Sequence, residues 1–234
     1  MPPLLTLIAL VIWASLLFGG FLFGKLWADR SRRMPVWTRM ASSLTLVIAA
    51  WLFVLIDPAV HVYTLPVAVG MTFGFLGDLF MAKLIPFKQY VIGGIGSFGI
   101  GHILYIVGFL ATMNALGLPV VGAAWLIWLL IGVVGWLVAV WIGAADRGLM
   151  HRLALPYALL LASTVGVATG WALGDSRFVP LAVGAALFLL SDLILAARLF
   201  RGTTFYLIDD VVWLTYGPAQ MLIVFSALLV QPLL

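Results

Sequence analysis

The sequence contains no cysteine and no glutamate, and it has few charged residues of any kind. Without cysteine the chain can form neither a disulfide nor a thiolate-ligated metal site. Only 9% of its 234 residues are charged and 65% are apolar, with a mean hydropathy of +1.23. A soluble domain needs far more polar surface, so the composition indicates an integral membrane protein. The net charge of +4 comes from basic residues in short loops and does not indicate a nucleic-acid partner.

Eight apolar runs are long enough to cross a bilayer, which takes roughly 20 helical residues. The sequence therefore predicts an all-α membrane protein, a bundle of eight transmembrane helices that forms a single membrane domain over residues 1–234. The predicted helices are residues 3–24, 40–56, 62–82, 91–113, 120–142, 153–172, 178–197 and 207–230, and the second can extend back toward Val36.

The basic residues are distributed unevenly between the two sides of the predicted bundle. Of the twelve Lys and Arg residues, eleven lie in or beside the loops that follow the odd-numbered helices, and only Arg177 lies on the opposite side. Basic loops of membrane proteins usually face the cytoplasm. We therefore expect the odd-numbered loops in the cytoplasm and both termini on the non-cytoplasmic side.

Two aspartates lie inside predicted membrane helices and share a local sequence. Asp78 is the second residue of a G-D-L-x-x-A segment, and Asp192 is the second residue of S-D-L-x-x-A. A carboxylate at membrane depth costs several kcal/mol and normally faces a polar interior. This cost favours a functional role for both residues over a purely structural hydrogen bond between helices.

The two aspartates also occupy equivalent positions in the predicted topology. Asp78 lies on the third helix and Asp192 on the seventh, 114 residues later, so their helices cross the membrane in the same direction. Each aspartate is expected roughly 8–9 Å inside the basic end of its helix. The arrangement is consistent with duplicated four-helix units, about residues 1–113 and 120–234, or with chance similarity between apolar segments.

Other polar residues are predicted at the same depth. His102 and Tyr105 lie one turn apart on the fourth helix, and Tyr216 and Gln220 lie one turn apart on the eighth. Asp209 and Asp210, at the start of the eighth helix, fit either a pocket or a favourable position in the helix dipole. Polar groups at membrane depth face a cavity, and the predicted lining is Asp78, His102, Tyr105, Tyr157, Ser191, Asp192, Tyr216 and Gln220.

These residues belong to a longer pattern, which runs in order from about residue 70 to 223. Its parts are Gly77-Asp78, Gly101-His102-x-x-Tyr105, Pro156-Tyr157, Gly184-Ala185-x-x-Phe188-x-x-Ser191-Asp192 and Tyr216-x-x-Ala219-Gln220. The pattern resembles the YhhN-like lysoplasmalogenase family. The resemblance implies a multipass membrane hydrolase that cleaves the vinyl (alkenyl) ether bond of a lysophospholipid, the lysoplasmalogen. Its products are a fatty aldehyde and glycerophosphoethanolamine or glycerophosphocholine.

The residue types suit this reaction. A vinyl ether hydrolyses by protonation of its β-carbon, and water then captures the oxocarbenium ion, a demand that glycosidases meet with two carboxylates. We predict Asp78 and Asp192 as the catalytic acid and its counter-anion, in either order. His102 is predicted to relay the proton or to hold one of the two carboxylates. No cofactor is predicted. The predicted substrate-binding residues are Tyr105, Tyr157, Ser191, Tyr216 and Gln220, and the candidate phosphate ligands are Lys83, Lys88, Arg198 and Arg201.

Two other functions fit the same residues. A proton-coupled transporter also needs intramembrane Asp and His. A metal-dependent lipid hydrolase resembling the ceramidase-receptor superfamily would use Asp78, His102 and Asp192 as ligands, although the sequence contains no His-rich zinc motif and we predict no metal. The expected location is the bacterial inner membrane, with the site open to the cytoplasmic leaflet.

Overall fold

The structure, a computed structural model, describes residues 1–118, 122–144 and 147–233. Within these residues it is almost entirely helical, and eight helices are long and apolar enough to cross a membrane. The predicted all-α multipass membrane protein is therefore confirmed. The helices are α1 (Pro3–Leu22), α2 (Val36–Ile56), α3 (His61–Met81), α4 (Tyr90–Ala115), α5 (Gly122–Trp136), α6 (Leu149–Gly174), α7 (Val179–Arg201) and α8 (Ile208–Phe225).

Most helix ends lie within a few residues of the predicted ones, and the differences are local. Helix α2 begins at Val36, the earlier of the two starts that the sequence allowed, so Arg39 lies in its first turn. Helix α5 continues as one π-helical turn, Leu137–Trp141, and α8 is followed by a short helix α9 (Ala227–Val230). The predicted start of the fifth helix at residue 120, which also begins the second duplicated unit, lies outside the described residues. The duplication stays a prediction.

Glycines bring α3 and α4 into close contact. A Cβ atom at Gly70 would lie 2.6 Å from the ring of Tyr105, and one at Gly101 would lie 3.0 Å from the carbonyl oxygen of Gly70. Apolar side chains gain little by leaving lipid, so close packing of small residues is a principal source of helix association in membranes. The contact fixes the position of α3, which carries Asp78, relative to α4, which carries His102.

A small antiparallel hairpin connects α1 to α2, with β1 (Lys25–Leu26) paired to β2 (Arg32–Arg33). It is attached to the start of α8 through Asp210, which is fully buried. Asp210 accepts a hydrogen bond from Arg32 Nη1 at 2.5 Å and from the backbone N–H of Met34 at 2.8 Å. Breaking such a buried ion pair leaves an unpaired charge and is strongly destabilising. Asp210 therefore holds the hairpin over the end of the bundle where the loops after α1, α3, α5 and α7 lie, here called the basic end.

Candidate functional site

A cavity of about 450 Å³ lies at the basic end, among α2, α3, α4, α7, α8 and the hairpin. Its wall includes both aspartates that the sequence singles out, Asp78 from α3 and Asp192 from α7. The structure thus brings two residues that are 114 positions apart in the chain to one cavity. The other charged side chains in the wall are Arg33, Arg39, Lys83, Arg198 and Asp209.

Asp78 is buried, with 3% of its surface exposed, and its two carboxyl oxygens differ in their contacts. Oδ2 accepts a hydrogen bond from Ser43 Oγ at 2.5 Å and another from Tyr216 Oη at 3.0 Å. Among the residues that the structure describes, none donates a hydrogen bond to Oδ1. Because two donors already point at Oδ2, a proton carried by Asp78 belongs on Oδ1.

A chain of hydrogen bonds continues from Tyr216 to α4. Gln220 Nε2 donates to Tyr216 Oη at 3.2 Å, and Tyr105 Oη donates to Gln220 Oε1 at 2.8 Å. Tyr105 and Gln220 are almost completely buried and are not in the cavity wall. They were predicted as substrate-binding residues, but the structure places them behind Tyr216, where they orient its hydroxyl toward Asp78.

Asp192 has a hydrogen-bond donor at each of its oxygens. Tyr157 Oη donates to Oδ2, and Ser191 Oγ lies 3.1 Å from Oδ1. Ser191 is fully buried and shares its proton with the carbonyl oxygen of Phe188, 2.9 Å away, so it supports Asp192 and is not free to bind a substrate. The hydrogen bond from Tyr157 favours the ionised carboxylate.

His102 forms no hydrogen bond with either aspartate. Its Nδ1 lies 2.9 Å from Thr164 Oγ1, and the Thr164 hydroxyl itself donates to the Leu160 carbonyl oxygen at 3.0 Å. The ring packs edge-on against Phe188, 4.4 Å between centroids, and is 1% exposed. Its Nε2 is buried and has no hydrogen-bond partner among the described residues. The structure does not bring His102 into contact with either aspartate, and its catalytic role stays a prediction. The described residues also contain no group of three Asp or His side chains able to hold a metal, so the alternative ligand set of Asp78, His102 and Asp192 does not form.

An apolar cleft of about 70 Å³ adjoins the polar cavity. Both spaces share Asp192, Phe98 and Met81 in their walls. Apart from Asp192 and the hydroxyl of Tyr157, the cleft is lined by apolar and aromatic side chains of α3 to α7. A polar cavity joined to an apolar cleft suits a ligand with a polar head and a hydrocarbon chain.

Comparison with protein families decides what the chain is related to. The model of the YhhN family matches residues 34–227, which is most of the chain. The chain belongs to the YhhN family. This is the lysoplasmalogenase family, and membership indicates a membrane hydrolase of that type. The resemblance predicted from residues 70–223 is confirmed, and the match reaches further, through α2. Comparison with curated proteins and with solved structures gives no match.

An ion cluster covers the mouth of the cavity in this YhhN protein. Arg33 pairs with Asp29 at 2.7 Å and with Asp209 at 2.8 Å, and Arg198 pairs with the same two carboxylates at 3.0 and 3.1 Å. Hydrogen bonds from Ser31, together with the charge of Arg33, hold the pKa of Asp29 below its usual range. Asp209 therefore faces the cavity but its charge is balanced by two arginines.

The sequence-based prediction missed Ser43 and Arg39, which both belong to the candidate site. The recognised pattern begins near residue 70 and carries no information about α2, and Arg39 was counted as a loop residue. A weak signal was present, because Ser42 and Ser43 are adjacent hydroxyl residues inside an apolar helix, where such side chains commonly bond a neighbouring helix.

Proposed function

We propose that this YhhN protein hydrolyses the vinyl ether bond of a lysoplasmalogen to a fatty aldehyde and a glycerophospho-ethanolamine or -choline. The observation that carries the proposal is that Asp78 and Asp192, with different hydrogen-bonding states, line one cavity beside an apolar cleft. Hydrolysis through an oxocarbenium ion requires such a pair, one carboxyl to give a proton and one carboxylate to face the cation. The end of the hydrocarbon chain nearest the vinyl ether would lie at the cleft and the head group in the polar cavity.

The hydrogen bonds favour one assignment of roles. Asp78 has one oxygen, Oδ1, that accepts no hydrogen bond from the described residues and can present a proton to the cavity. Both oxygens of Asp192 contact a hydroxyl group, that of Tyr157 or that of Ser191, so a proton on either would point at a protein group and not at a ligand. Asp78 is therefore the acid in our proposal, and Asp192 is the counter-anion.

In the first step Asp78 transfers its proton to the β-carbon of the vinyl ether, and the electrons of the double bond form the new C–H bond. The ether oxygen shares the positive charge with the α-carbon, and the carboxylate of Asp192 stabilises this oxocarbenium ion. Water adds to the α-carbon and gives a proton back to Asp78. The bond between the hemiacetal carbon and the glycerol oxygen then breaks, and the hemiacetal hydroxyl proton moves to the glycerol oxygen. The products are an aldehyde and an alcohol, and one water molecule is consumed.

The purified protein is expected to release a fatty aldehyde from a lysoplasmalogen in detergent. When the reaction is run in D₂O and stopped early, the aldehyde should carry one deuterium on the carbon next to the carbonyl, because the acid protonates that carbon. Mass spectrometry of the trapped aldehyde measures both results. A transporter releases no aldehyde, and an aldehyde without deuterium would exclude protonation at the β-carbon.

We propose further that the basic end faces the cytoplasm, since eleven of twelve Lys and Arg residues lie there. The chain has no cysteine, so a thiol reagent labels only a cysteine that is introduced by mutation, and labelling shows on which side of the membrane that cysteine lies. Lys88 and Ser176 are exposed residues at opposite ends of the bundle. In intact spheroplasts a membrane-impermeant maleimide should label Ser176→Cys and leave Lys88→Cys unlabelled until the cells are opened. The reverse labelling pattern would contradict the proposed orientation and a site open to the cytoplasmic leaflet.

A further inference from the structure

The basic side chains that line the cavity are not all paired with carboxylates. Among the described residues, four basic side chains line it. Two of them, Arg33 and Arg198, each pair with both Asp29 and Asp209. The other two basic side chains are Arg39 and Lys83. Over residues 1–118, 122–144 and 147–233, neither has a carboxylate oxygen within 4.0 Å.

Arg39 is a partly buried cation, and its guanidinium donates no hydrogen bond to any residue that the structure describes. Its guanidinium lies over the ring of Trp213, 5.3 Å from Cζ to the ring centroid, and this contact leaves the N–H groups available. Its Nε is buried and has no hydrogen-bond partner among the described residues. A guanidinium with an open fork of donors in a cavity matches the oxygens of a phosphate group.

The position of Arg39 relative to the acid also fits a lysophospholipid. Arg39 lies one helical turn before Ser43, about 6 Å along α2 toward the basic end, and Ser43 donates its hydrogen bond to Asp78. In a lysoplasmalogen three glycerol carbons separate the vinyl ether oxygen from the phosphate ester oxygen, a span of about 5 Å from standard bond lengths. Arg39 and Asp78 line the same cavity, so one lysophospholipid can place its phosphate at Arg39 and its vinyl ether at Asp78.

We propose that Arg39, assisted by Lys83 at the mouth of the cavity, binds the phosphate of the lipid head group. The inference rests on the proposed lysophospholipid substrate and names the residue that recognises its charge. Of the phosphate ligands expected from the sequence, only Lys83 is retained in this proposal. Arg198 is already paired, Arg201 donates to the carbonyl oxygen of Val138 at 2.8 Å, and Lys88 is not in the cavity wall.

The test is the affinity of the purified protein for three uncleavable ligands. They are a 1-O-alkyl lysophosphocholine, a 1-O-alkylglycerol without phosphate, and glycerophosphocholine without a chain. Arg39→Gln should weaken binding of the alkyl lysophosphocholine about 10- to 100-fold, the range of a charge-assisted hydrogen-bond pair. Arg39→Lys, which keeps the charge and loses the fork, should give an intermediate loss. Lys88→Gln removes a nearby charge outside the cavity and should change nothing.

Arg39→Gln should leave the affinity for the alkylglycerol unchanged, because that ligand has no phosphate. An equal loss for both alkyl ligands would mean that Arg39 supports the cavity and does not recognise the phosphate. No loss for the phospholipid would mean that Arg39 makes no phosphate contact. Either result overturns the proposal. Glycerophosphocholine that binds as tightly as the lipid would also overturn it, in favour of a soluble phosphate ester. The binding test uses lipids that are not cleaved, so it is independent of the proposed hydrolysis. If binding depends on Arg39 but lysoplasmalogen releases no aldehyde, the hydrolase proposal is rejected and the phosphate site is retained.

Discussion

Replacement of Asp78 by asparagine is expected to lower the turnover of a lysoplasmalogen by about 10²- to 10⁴-fold, the usual contribution of a general acid. The asparagine can keep its oxygen at the Oδ2 position and accept the bonds from Ser43 and Tyr216. Its NH₂ group then faces the cavity, where it cannot protonate carbon. The change removes the transferable proton and little else, so turnover should fall while binding remains. Aldehyde release at saturating substrate measures the loss.

The matched control for this variant is Asp175→Asn. Asp175 lies at the opposite end of the bundle and pairs with Arg177, two residues away, so its loss should not change turnover. Binding of an uncleavable alkyl lysophosphocholine to Asp78→Asn shows that the cavity is still formed. If this variant binds the lipid and turns over lysoplasmalogen at the wild-type rate, Asp78 is not the acid.

Asp192→Asn is expected to lower turnover on the order of 10²- to 10³-fold, because it removes the negative charge that faces the oxocarbenium ion. The asparagine oxygen can still accept from Tyr157, and its NH₂ can donate to Ser191 Oγ, which keeps its bond to the Phe188 carbonyl oxygen. The side-chain packing should therefore survive. Single-turnover measurements on enzyme saturated with substrate report the chemical step directly. An unchanged rate for that step would remove Asp192 from the mechanism.

The pH dependence separates the two roles. The reaction needs a protonated Asp78 and an ionised Asp192, so the wild-type rate should fall at both high and low pH. The residual rate of Asp78→Asn should no longer fall at high pH, and that of Asp192→Asn should no longer fall at low pH. If each variant lost the opposite limb, Asp192 would be the acid and the assignment made from hydrogen bonds would be wrong.

Much of the fold was predictable because the bilayer imposes one-dimensional rules. A helix must be long and apolar enough to span the hydrocarbon layer, so eight spans could be read directly from hydropathy. The exceptions have local causes. Arg39 reads as a loop residue by charge, yet it lies in the first turn of α2, where its side chain reaches the cavity and Trp213.

The site was predictable only in part. Asp78 and Asp192 stood out because a carboxylate at membrane depth is costly, and both line the cavity. The sequence also indicated which other polar residues lie near the aspartates, but not which contacts each of them makes. Tyr216 contacts Asp78, whereas Tyr105 and Gln220 lie behind it and His102 bonds to Thr164. These differences depend on which face of each helix points toward the cavity. That orientation is set by packing between helices that are distant in sequence.

The sequence by itself determined the membrane class, the number of helices, the family and the two aspartates, because hydropathy, charge and motif are properties of the chain in order. Only the tertiary structure decided that Asp78 and Asp192 share one cavity and that their oxygens are hydrogen-bonded differently. It also decided that, within the part of the chain that the structure describes, Arg198 has carboxylate partners within 4.0 Å and Arg39 has none. A charge is balanced by whatever lies near it in space, and in this bundle Arg198 meets Asp29, 169 residues away in sequence.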